Sequence, residues 1–157
     1  MNELLNESAA AISRWLEIKL PALSANWWAE HVVNRLTFQQ QRLVAEKRIQ
    51  TLSGLDLAAI LRVLDQNWSE LAGAESLPRE ARNWVKELQS VRNRWAHASQ
   101  GGIAATDAFR DADTLIRLLK VVGAGDSLLS RIETFRAGML AKMAPTSLER
   151  KRLAVAS

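Results

Sequence analysis

The chain has 157 residues, with 21 Lys and Arg against 17 Asp and Glu, two His and no Cys. A domain of this length buries roughly 68–70% of the surface its unfolded chain exposes, so its core needs no metal or disulfide support. The lack of cysteine excludes disulfide frameworks, zinc ribbons and thiol nucleophiles, and the net charge of +4 is compatible with a nucleic-acid partner without requiring one.

No apolar run approaches the roughly 20 residues of a membrane span. The opening "MNELLNESAA" is acidic and broken by polar residues, which does not read as a secretory signal. The expectation is a soluble, cytoplasmic chain with no membrane partner. Three Pro and seven Gly are few, and Leu, Ala, Glu and Arg dominate, so helix is favoured nearly throughout.

In chain order, the pattern predicts a first helix over residues 3–19, with Leu5, Ala9, Ile12, Trp15 and Leu16 as its apolar stripe and Pro21 ending it. A short helix begins near Trp27 and carries "WWAEHVVNRL". A third covers residues 37–52. After Gly54, Asp56 caps a helix "DLAAILRVLDQNWSELA" with Ile60, Leu61, Leu64, Trp68 and Leu71 inward. Pro78 opens the next as its first residue, running to about Ala98, where Gly101 and Gly102 stop it. Another spans residues 105–122, around Phe109, Leu115, Ile116, Leu118 and Leu119, and Gly123 and Gly125 close it. Asp126 caps a last helix to Met143. The prediction is an all-α bundle of about five or six helices over residues 1–145, followed by a basic tail or the start of a linker over 146–157.

The stretch "SVRNRWAHAS" stands out within this frame. At 100° per residue, Ala81, Trp84, Val85, Leu88, Val91 and Trp95 gather on one face of their helix, and Arg82, Lys86, Ser90, Asn93 and His97 on the other. Arg92 falls at the edge of the apolar stripe. Its guanidinium cannot discharge, so it needs an acceptor: Glu75, Asp65 or another acid, backbone carbonyls, or a ligand phosphate. His97 lies about 140° from Arg92 on a regular helix. Either the helix distorts before Gly101, or the two residues work together only across two chains. A plain structural ion pair for Arg92, and a polar helix-end position for His97, are the alternatives.

"RNRWAH" resembles the motif of the HEPN superfamily (higher eukaryote and prokaryote nucleotide-binding domains), in which an Arg and a polar residue are followed at short spacing by a His. With "DAFRDADTLIRLLKVVGA" and "LPALSANWW", the similarity extends over roughly residues 5–125. It points to the branch named after a eukaryotic transcription-associated endoribonuclease, which in prokaryotes often forms the N-terminal module of helicase-like or ATPase proteins linked to phage defence.

The resemblance implies an α-helical bundle that forms a homodimer, and a metal-independent endoribonuclease acting on RNA. It assigns Arg92 to the phosphate and transition state, Asn93 to positioning, and His97 to general acid/base catalysis. Arg94 is expected as an additional RNA phosphate contact. No cofactor is called for. The alternative within the family is a non-catalytic dimerisation or RNA-binding module; outside it, a plain helical adaptor. The chemistry is reasonable: RNA supplies its own 2′-OH nucleophile, imidazole exchanges protons near neutral pH, and guanidinium matches phosphate with two prongs.

Elsewhere the signals are weaker. His31 has no metal-ligand spacing with Glu30 and Glu46 and reads as structural. Trp27 and Trp28 read as packing anchors, with base stacking as the alternative. No Gly-rich nucleotide loop and no Gly-x-Ser-x-Gly elbow is present.

Overall fold

The structure is a computed structural model describing residues 1–98, 102–144 and 147–156. Among these residues the fold is all-α, with no strand. The helices are α1 (Asn2–Lys19), α2 (Phe38–Glu46), α3 (Leu57–Gln66), α4 (Trp68–Glu75), α5 (Ala81–Ala96), α6 (Ala105–Val121), α7 (Asp126–Met143) and α8 (Ser147–Ala156). The helix number exceeds the expected five or six because one expected helix is two and the C-terminal segment is helical.

α1 lies at the centre and packs on α3, α5, α6 and α7. Its Leu5, Ile12 and Leu16 are buried, as the stripe predicts, whereas Trp15 is half-buried at the margin. Pro21 falls in a 3₁₀ turn, Leu20–Ala22, that ends the helix. α5, α6 and α7 continue as antiparallel neighbours across short connections. Arg110 of α6 pairs with Glu87 of α5 at 3.2 Å, and Arg136 of α7 pairs with Asp113 of α6 at 2.6 Å. Gly123 takes φ +68° between α6 and α7. The Ala124 N–H donates to Leu119 O at 2.9 Å and the Gly123 N–H to Lys120 O at 3.3 Å, a Schellman closure that favours glycine at its left-handed position.

The departures from the sequence pattern have local causes. α2 starts as predicted, with Thr37 and Gln40 forming a reciprocal capping box, but stops at Glu46 rather than near residue 52. Arg48 adopts φ 52° and closes α2 through Ile49 N–H to Val44 O at 3.0 Å, a stop with no glycine to announce it. The chain then returns so tightly that a Cβ on Gly54 would meet Ile49 Cγ2 at 2.8 Å.

The expected helix after Asp56 is split at Asn67, whose fully buried side chain donates to His31 O and Val63 O, both at 2.7 Å. That leaves its Oδ1 to accept, with His31 Nδ1 as the donor at 2.9 Å. The segment around Trp27 is accordingly a π-turn (Trp28–Val32) and a 3₁₀ turn (Val33–Arg35), fastened to the α3–α4 junction. Trp27 and Trp28 meet edge-to-face, with centroids 5.9 Å apart, and pack on the core.

α5 begins three residues after Pro78, whose carbonyl accepts the Ala81 N–H in the preceding turn. α7 has Gly125 as its N-cap, and Asp126 is its first helical residue rather than its cap. Over 149–156 the expected basic tail is an exposed helix.

Candidate functional site

α5 forms because its apolar residues recur three and four apart: Ala81, Val85, Leu88 and Val91 are buried against α3 and α6. Trp84 and Trp95 complete the stripe at its half-buried edge. The helix ends at Ala96, two residues short of the predicted end. His97 is its C-cap, with φ −107° and ψ 8°, and the His97 N–H still donates to Asn93 O at 3.2 Å. Gly102 beyond it takes φ +71°; Gly101 lies outside the described residues.

Arg92 is half-buried, as its position at the edge of the stripe requires. Neither Asp65 nor Glu75 is its acceptor: Asp65 faces Arg82 and Lys86, and Glu75 pairs with Lys19. Arg92 instead donates through Nη2 to Asp56 Oδ2 at 3.4 Å and through Nη1 to Asn93 Oδ1 at 3.3 Å. Both contacts are long, and the Asp56 side chain is 63% exposed, so the guanidinium is held weakly. Asp56 also caps α3, accepting the Ala59 N–H on Oδ1 at 2.9 Å.

Asn93 and His97 are exposed. The imidazole of His97 makes no hydrogen bond or ion pair with any described residue. Because α5 is regular to Ala96, Arg92 and His97 leave it about 140° apart, and no hydrogen bond or ion pair joins them.

Arg94 and Trp95, the two residues between, are gripped by one carboxylate. Asp111 of α6 is completely buried. Its Oδ2 accepts from Trp95 Nε1 at 2.9 Å, and its Oδ1 is paired with the Arg94 guanidinium. Burial pushes the Asp111 carboxyl above the usual carboxylate range, and the Trp95 hydrogen bond and the Arg94 charge offset this only in part. The Arg94 side chain remains 46% exposed. Trp95 also stacks edge-on against Phe135 of α7, at 6.1 Å between centroids.

Sequence reasoning foresaw Asp56 only as a cap and did not single out Asp111. A signal for Asp111 exists: it shares the buried face of α6 with Ala108, Ala112 and Leu115, where a lone acid needs partners.

Beside Arg92 lies a groove of about 280 Å³, lined by Leu5, Asn6, Asp56, Leu57 and Trp95 among others. Among the described residues, no group of three or more His, Asp or Glu is placed to hold a metal ion, and no helix is long and apolar enough to cross a membrane.

An all-α bundle in which α5 ends in the adjacent Arg92 and Asn93, with His97 as its C-cap, has the pattern of a HEPN-type domain. The chain belongs to the Swt1-like HEPN family, whose model matches residues 4–123. HEPN domains are RNase-like or RNA-binding modules. No curated protein and no solved structure matches the chain.

Proposed function

We propose that the chain is a metal-independent endoribonuclease that works as a homodimer. The observation that carries the reading is the state of the motif residues. Arg92 is restrained only by long contacts to Asp56 and Asn93, while Asn93 and His97 stand in solvent at the helix end. An Arg held only by long contacts, beside an exposed Asn and a His whose ring has no partner among the described residues, suits a site that another molecule completes.

In this mechanism the 2′-OH of RNA attacks the adjacent phosphorus. One His97 accepts the 2′ proton, and the 5′ oxygen leaves with a proton from a second imidazole, giving a 2′,3′-cyclic phosphate and a 5′-OH. Arg92 spreads over the equatorial phosphate oxygens as charge builds, and Asn93 fixes the guanidinium. The divergence of Arg92 and His97 around one helix supports a second protomer, because two-fold symmetry supplies the second histidine and lets residues from two chains converge. The exposed part of Arg94 offers a further phosphate contact while Asp111 holds the rest.

The second reading is a non-catalytic dimerisation or RNA-binding module. It is favoured by the pairing of both Arg92 and Arg94 with carboxylates, which leaves little unbalanced positive charge at the helix end. Under either reading residues 1–145 are taken as the module and 146–157 as a basic tail or the start of a linker, and the resemblance supports a helicase-like or ATPase module of a cytoplasmic defence protein as a partner. Incubation of the protein with labelled RNA in EDTA separates the two. Cleavage by wild type and its loss in His97→Ala supports the nuclease; binding without cleavage supports the module.

A further inference from the structure

We propose that the groove beside Arg92 is a base-recognition subsite that prefers guanine in single-stranded RNA. The proposal rests on the reading of Arg92 as the residue that holds the scissile phosphate.

Three helices make the groove: the first turns of α1, the start of α3 and the last turns of α5. Leu5 and Leu57, 5% and 6% exposed, and the half-buried Trp95 give it an apolar lining against which a flat ring can pack. Its polar edge combines the Asp56 carboxylate with the Asn2 and Asn6 carboxamides beside Arg92, a mix of acceptors and donors that suits a base, whereas the carboxylate repels a second phosphate. The Asn6 carboxamide lines it and makes no hydrogen bond with any described residue.

Asp56 links the groove to the phosphate site. Its Oδ1 accepts one hydrogen bond from the α3 cap and keeps a second lone pair, and its Oδ2 holds Arg92 at 3.4 Å. A phosphate offers Arg92 a two-pronged acceptor and displaces this long contact. The carboxylate, still anchored by the cap, is then left beside the groove with acceptor capacity to fill.

Among the four bases, guanine alone presents two adjacent donors, N1–H and N2–H, on its Watson–Crick edge. Adenine and cytosine place a ring-nitrogen acceptor next to their amino group, which repels a carboxylate, and uracil offers one N–H between two carbonyls. The Asn6 amide supplies a donor for guanine O6. A base and its phosphate are joined through a single ribose, so a phosphate on Arg92 delivers a base into the adjoining concavity. The Watson–Crick edge is free only in unpaired RNA.

Binding of the four nucleoside 3′-monophosphates to the wild-type chain, followed by NMR, tests the subsite without any cleavage. The expected result is that 3′-GMP binds on the order of tenfold tighter than 3′-UMP and shifts the Asn6 side-chain amide. Asp56→Asn keeps a good α3 cap and is expected to abolish the preference in a folded protein; Asn6→Ala, at an exposed position, is expected to weaken it. Equal binding of all four nucleotides, no binding of any, or a preference that survives Asp56→Asn overturns the proposal. Guanine preference in a protein that never cuts RNA refutes the nuclease and leaves the subsite standing. Cutting with no base preference refutes the subsite alone.

Discussion

Trp95 Nε1 donates to Asp111 Oδ2 at 2.9 Å, tying the last turn of α5 to a carboxylate with no solvent exposure. Arg94 takes the other oxygen, so α6 grips the two residues of the motif to which minimal catalysis assigns no task. Asp111→Ala strands both donors. Breaking a fully buried pair costs several kcal/mol, but Arg94 is nearly half exposed and recovers water, so the expected loss is about 1–3 kcal/mol. Urea unfolding measures it, and a change below about 0.5 kcal/mol assigns the grip no energetic role.

Two carboxyls give opposite pH signatures. The native Asp111 carboxyl is raised by burial, so between the ordinary value of about 3.9 and its native value the folded chain holds a proton that the unfolded chain does not. Its contribution to stability therefore rises as pH falls through that window. Glu70 is lowered, chiefly by a backbone hydrogen bond at the start of α4 and further by Arg35. Its contribution is present above about 4.3 and is lost as pH falls through the lower native value. Stability measured against pH for wild type, Asp111→Asn and Glu70→Gln is expected to show wild type gaining on the first variant and losing ground to the second on acidification.

His97 is exposed and its ring is unbonded among the described residues. His97→Ala is expected to leave stability within about 0.5 kcal/mol while lowering RNA cleavage by roughly 10²–10⁴-fold, the usual worth of a general acid/base. Arg92→Lys is expected to lower the rate as well, because an ammonium lacks the fork. Thermal unfolding beside single-turnover kinetics separates chemistry from folding.

Gly123→Ala is expected to destabilise the α6–α7 turn by about 1 kcal/mol, because φ +68° penalises a side chain even though the site has open space for one. Chemical denaturation checks this, and an unchanged midpoint would show that the turn relaxes at no cost.

The sequence made the α5 stripe, the Asp56 cap and the Gly123 stop readable, because each depends on residues within a turn or two of one another. The half-burial of Arg92 followed from its phase on the helix, but not its partner, since Asp56 lies 36 residues away. The split at Asn67 was hidden for the same reason: its partner is His31, which only tertiary packing brings near. The early end of α2 rests on an arginine in a left-handed conformation, against the usual preference for glycine. Asp111 was readable in principle, as an acid on a buried face, but which donors would meet it was not.

RNA cleavage at the Arg92–His97 site is the central claim, and end-group analysis of the products from a labelled single-stranded RNA incubated in EDTA tests it most directly. The predicted result is a 2′,3′-cyclic phosphate and a 5′-OH with the wild-type chain and uncut RNA with His97→Ala. Intact RNA with wild type, equal cutting by His97→Ala, or products ending in 3′-OH and 5′-phosphate would contradict it.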